Sequence, residues 1–368
     1  MEKLVIEEIE VIPLQVPLKK TFESSLGVYT HLDVVVVKMK TKDGPEGFGM
    51  TTGLGGASGT AIVPYIQNEL APLILGQDAL APELVWTKMW GPNKARMRGG
   101  IGLHALSCVD IACWDVLAKS AGKSINRLLG GFRQTIPVYG SGGWHTLSDE
   151  ELLEEAQEAE ALGCKAYKFK IGTDRDDERI SYLRENMGED FILFADANQK
   201  YIVREAIEVS NMLAEYGVAW FEEPVIADSV DDLAELSRES MVPLAAGENA
   251  YMRWGFRELC ERRAVGFLQP DVGRCGGITE FRKIANLADA FNISLSCHLV
   301  HEISVSLVAA SPSGYMVEYM DFFNPEDMTQ DFSVKNGEIA VPDVPGHGFE
   351  FTDTALKLSN GKLIGWFQ

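Results

Sequence analysis

The chain is 368 residues long, 46% apolar and 24% charged, which is the texture of a globular protein and excludes a disordered or fibrous one. That length exceeds one ordinary core and suits two domains, or one large α/β barrel with an attached unit. Its 54 acidic against 33 basic residues give a formal charge of −21, which repels phosphate backbones and anionic lipid, so neither nucleic acid nor membrane is an expected partner.

In chain order, Met1-Glu2-Lys3-Leu4 carries no apolar signal core. Apolar runs such as Val34-Val35-Val36-Val37 have strand length, well short of the roughly 20 residues of a membrane span. Cys108, Cys113, Cys164, Cys260, Cys275 and Cys297 form no C-x-x-C pair and read as buried, reduced thiols of a cytoplasmic protein. Residues 4–13 and 32–40 alternate as strands do, and Lys42-Asp43-Gly44 reads as a hairpin turn leading to Gly47-Phe48-Gly49-Met50. After Gly53-Leu54-Gly55-Gly56 the pattern becomes helical, with the longest helix expected over 101–121. Residues 1–131 therefore predict an α+β unit.

A second rhythm runs over 132–325. Short apolar strands are expected at 136–141, 166–171, 192–197, 220–224, 243–247, 267–271, 293–298 and 315–319, with helical segments between them. Ser148 with Glu151 forms a capping box and Gly163 a stop signal; another helix runs from 204 to 216 into Gly217, and a third carries Ile278, Phe281, Ile284, Ala288 and Phe291 on one face. Eight strand–helix alternations predict a closed parallel α/β barrel of the TIM type. Residues 326–368 return to strand-and-turn texture and are expected to pack back on the first unit.

In such a barrel the carboxyl ends of the strands share one mouth. Lys170, Asp196, Glu222 and Glu248 follow one another at equal steps of 26 residues, one strand–helix unit each, which predicts equivalent positions on successive strands. Asp196, Glu222 and Glu248 would then face one point, where mutual repulsion raises their pKa values unless a divalent cation joins them. All-oxygen ligation without histidine or thiol selects magnesium over zinc. Any one acid at a strand end is more often a helix cap or a surface charge; three at equal spacing are not.

Lys168 and Lys170 share a strand face, and two adjacent ammonium groups lower each other's pKa, which makes a neutral amine available as a base. Asp271 and His298 end neighbouring strands, and a carboxylate on one imidazole nitrogen makes the other a second acid/base group. His301 and His31 read as ordinary hydrogen-bonded histidines. Glu318 completes the ring, either as a protonated donor to a substrate oxygen or as a salt-bridge partner. Together these groups suit removal of the proton next to a carboxylate, the developing charge being held by the metal.

The K-x-K at Lys168 and Lys170, the acids at 196, 222 and 248 and the Asp271/His298 dyad resemble the enolase superfamily, in its mandelate racemase subgroup. So do the segments Val109-Asp110-Ile111-Ala112-Cys113-Trp114-Asp115 and Val341-Pro342-Asp343-Val344-Pro345-Gly346. The resemblance implies a modified (β/α)7β barrel with an α+β capping domain, one magnesium ion, and a homo-oligomer from dimer to octamer. It implies Lys168 on the substrate carboxylate, Lys170 as the base, and Ser141 and Asn198 in supporting contacts. It also implies specificity loops, at about 18–31 and 50–58, over the barrel mouth. Those loops are polar, with Lys19, Lys20, Thr21, Glu23, Ser24, Ser25, Thr51 and Thr52, although Leu26, Val28 and Tyr29 keep an apolar option open. Thr21, Ser24 and Thr51 are candidates for substrate hydroxyls, and Lys19 or Lys20 for a second carboxylate. The expected reaction is dehydration of an acid sugar to a 2-keto-3-deoxy acid, with His298, charged and held by Asp271, giving a proton to the departing hydroxyl. The alternatives are a racemase or epimerase of a 2-hydroxy acid, a cycloisomerase of a sugar-derived ring, and, more distantly, a non-catalytic metal-binding barrel or a metal-dependent hydrolase.

Overall fold

The computed structural model describes residues 3–54 and 58–358. Its first unit is an antiparallel sheet, ordered β1 (Ile6–Ser24), β2 (Gly27–Thr41), β3 (Gly47–Leu54), with helices packed on it. The central strand explains the unbroken valine run. Val34 and Val36 point into the core shared with the barrel, whereas Val35 and Val37 point into the core under the cap helices, so both faces are buried. The helix Ile101–Ser120 is long and apolar enough to cross a membrane, but 83% of its apolar window is buried inside the fold. It lies directly on β3: a Cβ on Gly47 would sit 2.1 Å from the Ala112 carbonyl oxygen, and one on Gly49 2.0 Å from that of Cys108. Only glycine permits that approach.

The expected loop over 18–31 is instead the end of a long hairpin. β1 and β2 stay paired to Ser24 and Gly27, with a register shift between Pro17 and Phe22. Lys, Thr and Ser side chains made this segment read as a loop, yet the pairing is made by backbone groups, and Phe22 and Tyr29 on one face of the arm pack against the core. The second loop likewise begins as strand: Thr51, Thr52 and Gly53 pair with Val35, Val34 and Asp33. Residues 55–57, with two glycines of the run, the side chain of Lys19, and residues 359–368 lie outside the described residues.

The second unit is the barrel. Its parallel strands are β4 (Thr135–Ser141), β5 (Ala166–Lys170), β6 (Ile192–Asp196), β7 (Val218–Glu222), β8 (Leu244–Ala246), β9 (Phe267–Leu268), β10 (Ser294–Leu295) and β11 (Val317–Tyr319), and β11 pairs back on β4. Leu295 closes the ring, accepting from Tyr315 N at 2.7 Å and donating to the Ser313 carbonyl at 2.9 Å. Eight strands and seven intervening helices among the described residues make this a (β/α)7β barrel with a cap. The Ser148 capping box forms as expected. Tyr139, Phe194 and Trp220 lie two residues before Ser141, Asp196 and Glu222, so they point inward below them. Phe194 and Trp220 stack at 3.7 Å, and Tyr139 meets both edge-on. The mouth therefore has a buried aromatic floor.

The segment after the barrel divides between the two units. β12 (Glu338–Ala340) adds antiparallel to β4, while His347 bonds Phe48 O at 2.7 Å and Phe349 and Phe351 enclose the Phe48 ring. The alternation Glu338-Ile339-Ala340 buries only Ile339, a signal too short to assign from sequence.

One stripe of Ile101–Ser120 docks the cap on the barrel. Ser107 Oγ accepts from Gly276 N at 2.9 Å, Asp110 accepts from Thr279 N at 2.9 Å and Oγ1 at 2.7 Å, and Trp114 Nε1 donates to Thr279 Oγ1 at 2.8 Å. Thr279→Val leaves the Trp114 donor and one Asp110 oxygen unpaired in a buried place. It is expected to lower stability by about 1–3 kcal/mol, read as a lower melting temperature; an unchanged melt would show that the stripe contributes no docking energy.

Candidate active site

β5, β6 and β7 bring their last residues into register: Lys170 opposes Asp196, and Asp196 opposes Glu222. The third equal step does not follow that pattern. Glu222 pairs with Ala245, three residues short of Glu248. The chain leaves β8 at Gly247, φ +148°, so close to the next strand that a Cβ would lie 2.8 Å from Gln269 N. From that bend Glu248 joins the other two acids, and all three offer carboxylate oxygens within 4.8 Å of one another. Asp196, Glu222 and Glu248 are 0%, 1% and 6% exposed, so their charge must be met by partners inside the protein.

The partners are the two lysines and an arginine. Lys168 Nζ lies 2.7 Å from Glu222 and 2.7 Å from Glu318, and Lys170 Nζ bonds Asp196. Burial works against both ammonium groups. The carboxylates outweigh it, with Glu222 and Glu318 holding Lys168 well above its usual pKa and Asp196 holding Lys170 above it. Mutual repulsion of the lysines, the effect expected from sequence, does act on Lys170, but it is the weaker influence. Among the acids, Asp196 stays ionised because the two lysines overcome its burial. Glu222 is pushed up to about 8 by burial and by the Asp196 charge, and Glu248 is raised by burial against the opposing Arg274. Three hard oxygen donors with compensated charge fit a magnesium-sized cation. Asn198 N and Nδ2 both donate to Asp196, at 2.9 and 3.3 Å, so Asn198 orients this acid.

Across the mouth, His298 Nδ1 is 2.9 Å from Asp271 and Nε2 is 3.2 Å from Glu248. A charged imidazole was the expectation for a proton donor. Burial, then Arg274 and the two lysines, instead hold His298 well below its usual pKa, so it rests neutral. Burial also pushes Asp271 up to about 7 against the pull of Arg274. Arg274, absent from the sequence reading, pairs with Asp271 at 3.1 Å and Glu248 at 3.6 Å. An arginine three residues beyond the strand-end aspartate was its only signal. Glu318 is the salt-bridge partner and not a protonated donor: burial opposes its charge, but Lys168, Leu299 N at 2.7 Å and Ser141 Oγ at 2.8 Å hold it ionised. Leu299 and Val300 both have positive φ, 45° and 44°, a strained pair immediately after His298. His301 is buried beside Glu302 at 3.5 Å and pushed down to about 4 by burial, an ordinary core histidine.

The specificity candidates divide. Thr21 is exposed on the hairpin, where its carbonyl accepts from Thr146 Oγ1. Ser24 Oγ accepts from Leu26 N within the hairpin turn, and Thr51 Oγ1 donates to Gly273 O at 2.7 Å. Of the three hydroxyls, that of Thr51 gives its hydrogen to the protein, whereas Ser24 Oγ only accepts. Lys20 pairs with Glu151 at 3.0 Å. The buried Thr52 hydroxyl has no hydrogen-bond partner among the described residues. The wall beside Lys170 is aromatic: its ammonium stands 5.1 Å from the Trp144 ring, on which Phe22 stacks at 4.4 Å. Trp144 follows Gly142-Gly143 at the end of β4, and that position was its only sequence signal. A cavity of about 850 Å³ between Trp90 and Arg98 of the cap and Glu223 and Asn249 of the barrel is lined by none of the catalytic candidates.

Residues 7–130 match the mandelate racemase / muconate lactonizing enzyme N-terminal domain, and residues 151–355 the enolase C-terminal domain-like family. The chain belongs to the enolase superfamily, in its mandelate racemase subgroup. Within this superfamily it is 34% identical to an arabinonate dehydratase of Saccharolobus solfataricus, over 89% of this chain and 91% of that protein. It is 33% identical to a 3,6-anhydro-alpha-L-galactonate cycloisomerase of Streptomyces coelicolor, over 93% of this chain and 96% of that one. A crystal structure of a racemase from Streptomyces coelicolor with bound magnesium superposes with a TM-score of 0.92 at 32% identity, covering 96% of this chain and 99% of the other.

Proposed function

We propose that this chain is a magnesium-dependent hydro-lyase that removes the proton next to the carboxylate of an acid sugar and expels the neighbouring hydroxyl, leaving a 2-keto-3-deoxy acid. The observation that carries this reading is the convergence of three buried acids with Lys168 and Lys170 on one side and the Asp271–His298 pair on the other. Asp196, Glu222 and Glu248 hold the magnesium, whose charge opposes the negative charge that grows on the substrate carboxylate. The arabinonate dehydratase supports dehydration, and the magnesium-bound racemase supports the cofactor.

Lys168, fixed between Glu222 and Glu318, binds the substrate carboxylate. With Asp196 engaged as a ligand, burial and the Lys168 ammonium are left to favour the neutral amine of Lys170, which takes the α-proton. His298 rests neutral with Nδ1 on Asp271, so Nε2 first takes up a proton from solvent, the imidazolium being held by Asp271, and then gives it to the departing hydroxyl, since hydroxide is a poor leaving group. The aromatic floor excludes water beneath these groups and strengthens their charges.

The test is a screen of the magnesium-loaded protein against four- to six-carbon acid sugars, detecting 2-keto acids, with mandelate as the contrast. A keto acid from a sugar acid and little or no turnover of mandelate is the expected result. Rapid interconversion of mandelate enantiomers with no keto acid would overturn it. A second reading, isomerisation of a sugar-derived ring, is favoured by the flat Trp144 and Phe22 faces beside Lys170, and the same screen separates it because its product retains all its atoms. A homo-oligomer, dimer to octamer, belongs to the same proposal, supported by Leu26 and Val28, which stand exposed at the hairpin tip. So does a cytoplasmic location, supported by six free, buried cysteines.

A further inference from the structure

The docking stripe of Ile101–Ser120 continues one turn above Ser107 to His104, a residue the sequence reading passed over. Its neighbour Thr51 has a single hydroxyl hydrogen, which is given to the Gly273 carbonyl at 2.7 Å. Gly273 N in turn donates to Asp271 Oδ1 at 2.7 Å, and the other Asp271 oxygen holds His298. Thr51 Oγ1 and Asp271 Oδ1 both crowd Gly273, at 3.1 and 3.2 Å from where its Cβ would be. His104 is therefore linked to the acid/base dyad through Thr51 and Gly273, and it is near enough that a charge on it would act on His298.

That arrangement determines the imidazole's tautomer. With its own hydrogen spent, Thr51 Oγ1 can only accept from His104 Nδ1, 3.3 Å away. Nδ1 carries the proton and Nε2 carries a bare lone pair. Burial and the Arg274 guanidinium push His104 down to about 3, so the ring stays neutral at working pH. Among the described residues Nε2 has no hydrogen-bond partner. A neutral Nε2 can accept but cannot donate, so it suits a hydroxyl and not a carboxylate or carbonyl oxygen.

We infer that His104 is a specificity-determining residue, whose Nε2 accepts a hydrogen bond from one substrate hydroxyl away from the reacting carbons. This rests on the acid-sugar reading proposed above. It adds the cap helix to hydroxyl recognition, in place of Thr51, whose hydroxyl hydrogen is given to Gly273.

The experiment compares the magnesium-loaded wild type with His104→Phe and His104→Gln on an accepted acid sugar and on its series of monodeoxy analogues. In the wild type, deletion of the contacted hydroxyl is expected to lower kcat/KM by about tenfold. In His104→Phe, which retains a ring of similar size, that one penalty should vanish while those for the other hydroxyls persist. His104→Gln, which keeps an acceptor, should retain it. A variant damaged only in folding or docking lowers every member of the series alike and leaves the ratios unchanged, and that outcome overturns the inference. So does persistence of every deoxy penalty in His104→Phe. A wild type that dehydrates no acid sugar overturns the proposed function and this inference together, a result distinct from an active wild type with unaltered selectivity in the variant.

Discussion

Lys170→Met is expected to lower exchange of the substrate α-proton by roughly 10²–10⁴-fold, the usual contribution of a positioned acid/base group. Proton NMR in heavy water reads it directly. Lys170 stands between Asp196 and the Trp144 face, at the mouth end of β5. His298→Asn acts from the other side: exchange by Lys170 should continue while formation of the dehydrated product falls by a similar factor. The dyad also predicts a pH dependence. Asp271 is raised to about 7, and only its ionised form holds the Nδ1 proton of His298. A proton on Nε2 requires the pair to hold one more proton than ionised Asp271 with neutral His298, so proton donation by His298 should fall as pH passes upward through about 7, and Asp271→Asn should remove that limb. Full dehydration of every substrate by His298→Asn would reduce the dyad to a structural pair.

Glu222→Gln should abolish turnover and the response to magnesium without unfolding the barrel. Wild-type protein should melt higher in magnesium, by about 2.7 kcal/mol of stabilisation at one hundred times the dissociation constant. The variant should show no such shift, and chelation should silence the wild type. Because Glu222 is pushed up to about 8, binding a cation displaces its proton. Magnesium affinity should consequently rise with pH toward 8 and flatten above it, and calorimetry in buffers of different ionisation enthalpy should detect the released proton. Without metal the sign reverses. The folded chain keeps a proton that the unfolded chain loses above its usual 4.5, so this carboxyl makes stability fall between about 4.5 and 8. Glu222→Gln should lack that slope. Undiminished magnesium stabilisation of the variant would remove Glu222 from the ligand set.

What could be read in the residues alone was whatever repeats or acts locally. The strand–helix alternation, the Ser148–Glu151 cap and the 26-residue steps are short-range regularities, and each led to the right element. The steps from Lys170 to Asp196 to Glu222 hold in register because each spans one complete unit of the same barrel. Glu248 shares the spacing for a different reason, a bend at Gly247 that no spacing reveals. The hairpin at 18–31 escaped because its pairing is made by the backbone, which polar side chains do not report. Protonation escaped more completely. Whether Lys170 is charged and His298 neutral depends on the sum of Asp196, Lys168, Arg274 and burial, contributed by different strands and their turns. Arg274, Trp144 and His104 belong to the same class, residues at the ends of elements whose meaning comes from what the closed barrel and its cap set opposite them. The sequence by itself determined the kind of chemistry, because residue type and period are local properties. Only the tertiary structure decided the charge states and the walls of the site, because Coulomb interaction and burial are properties of distance in space.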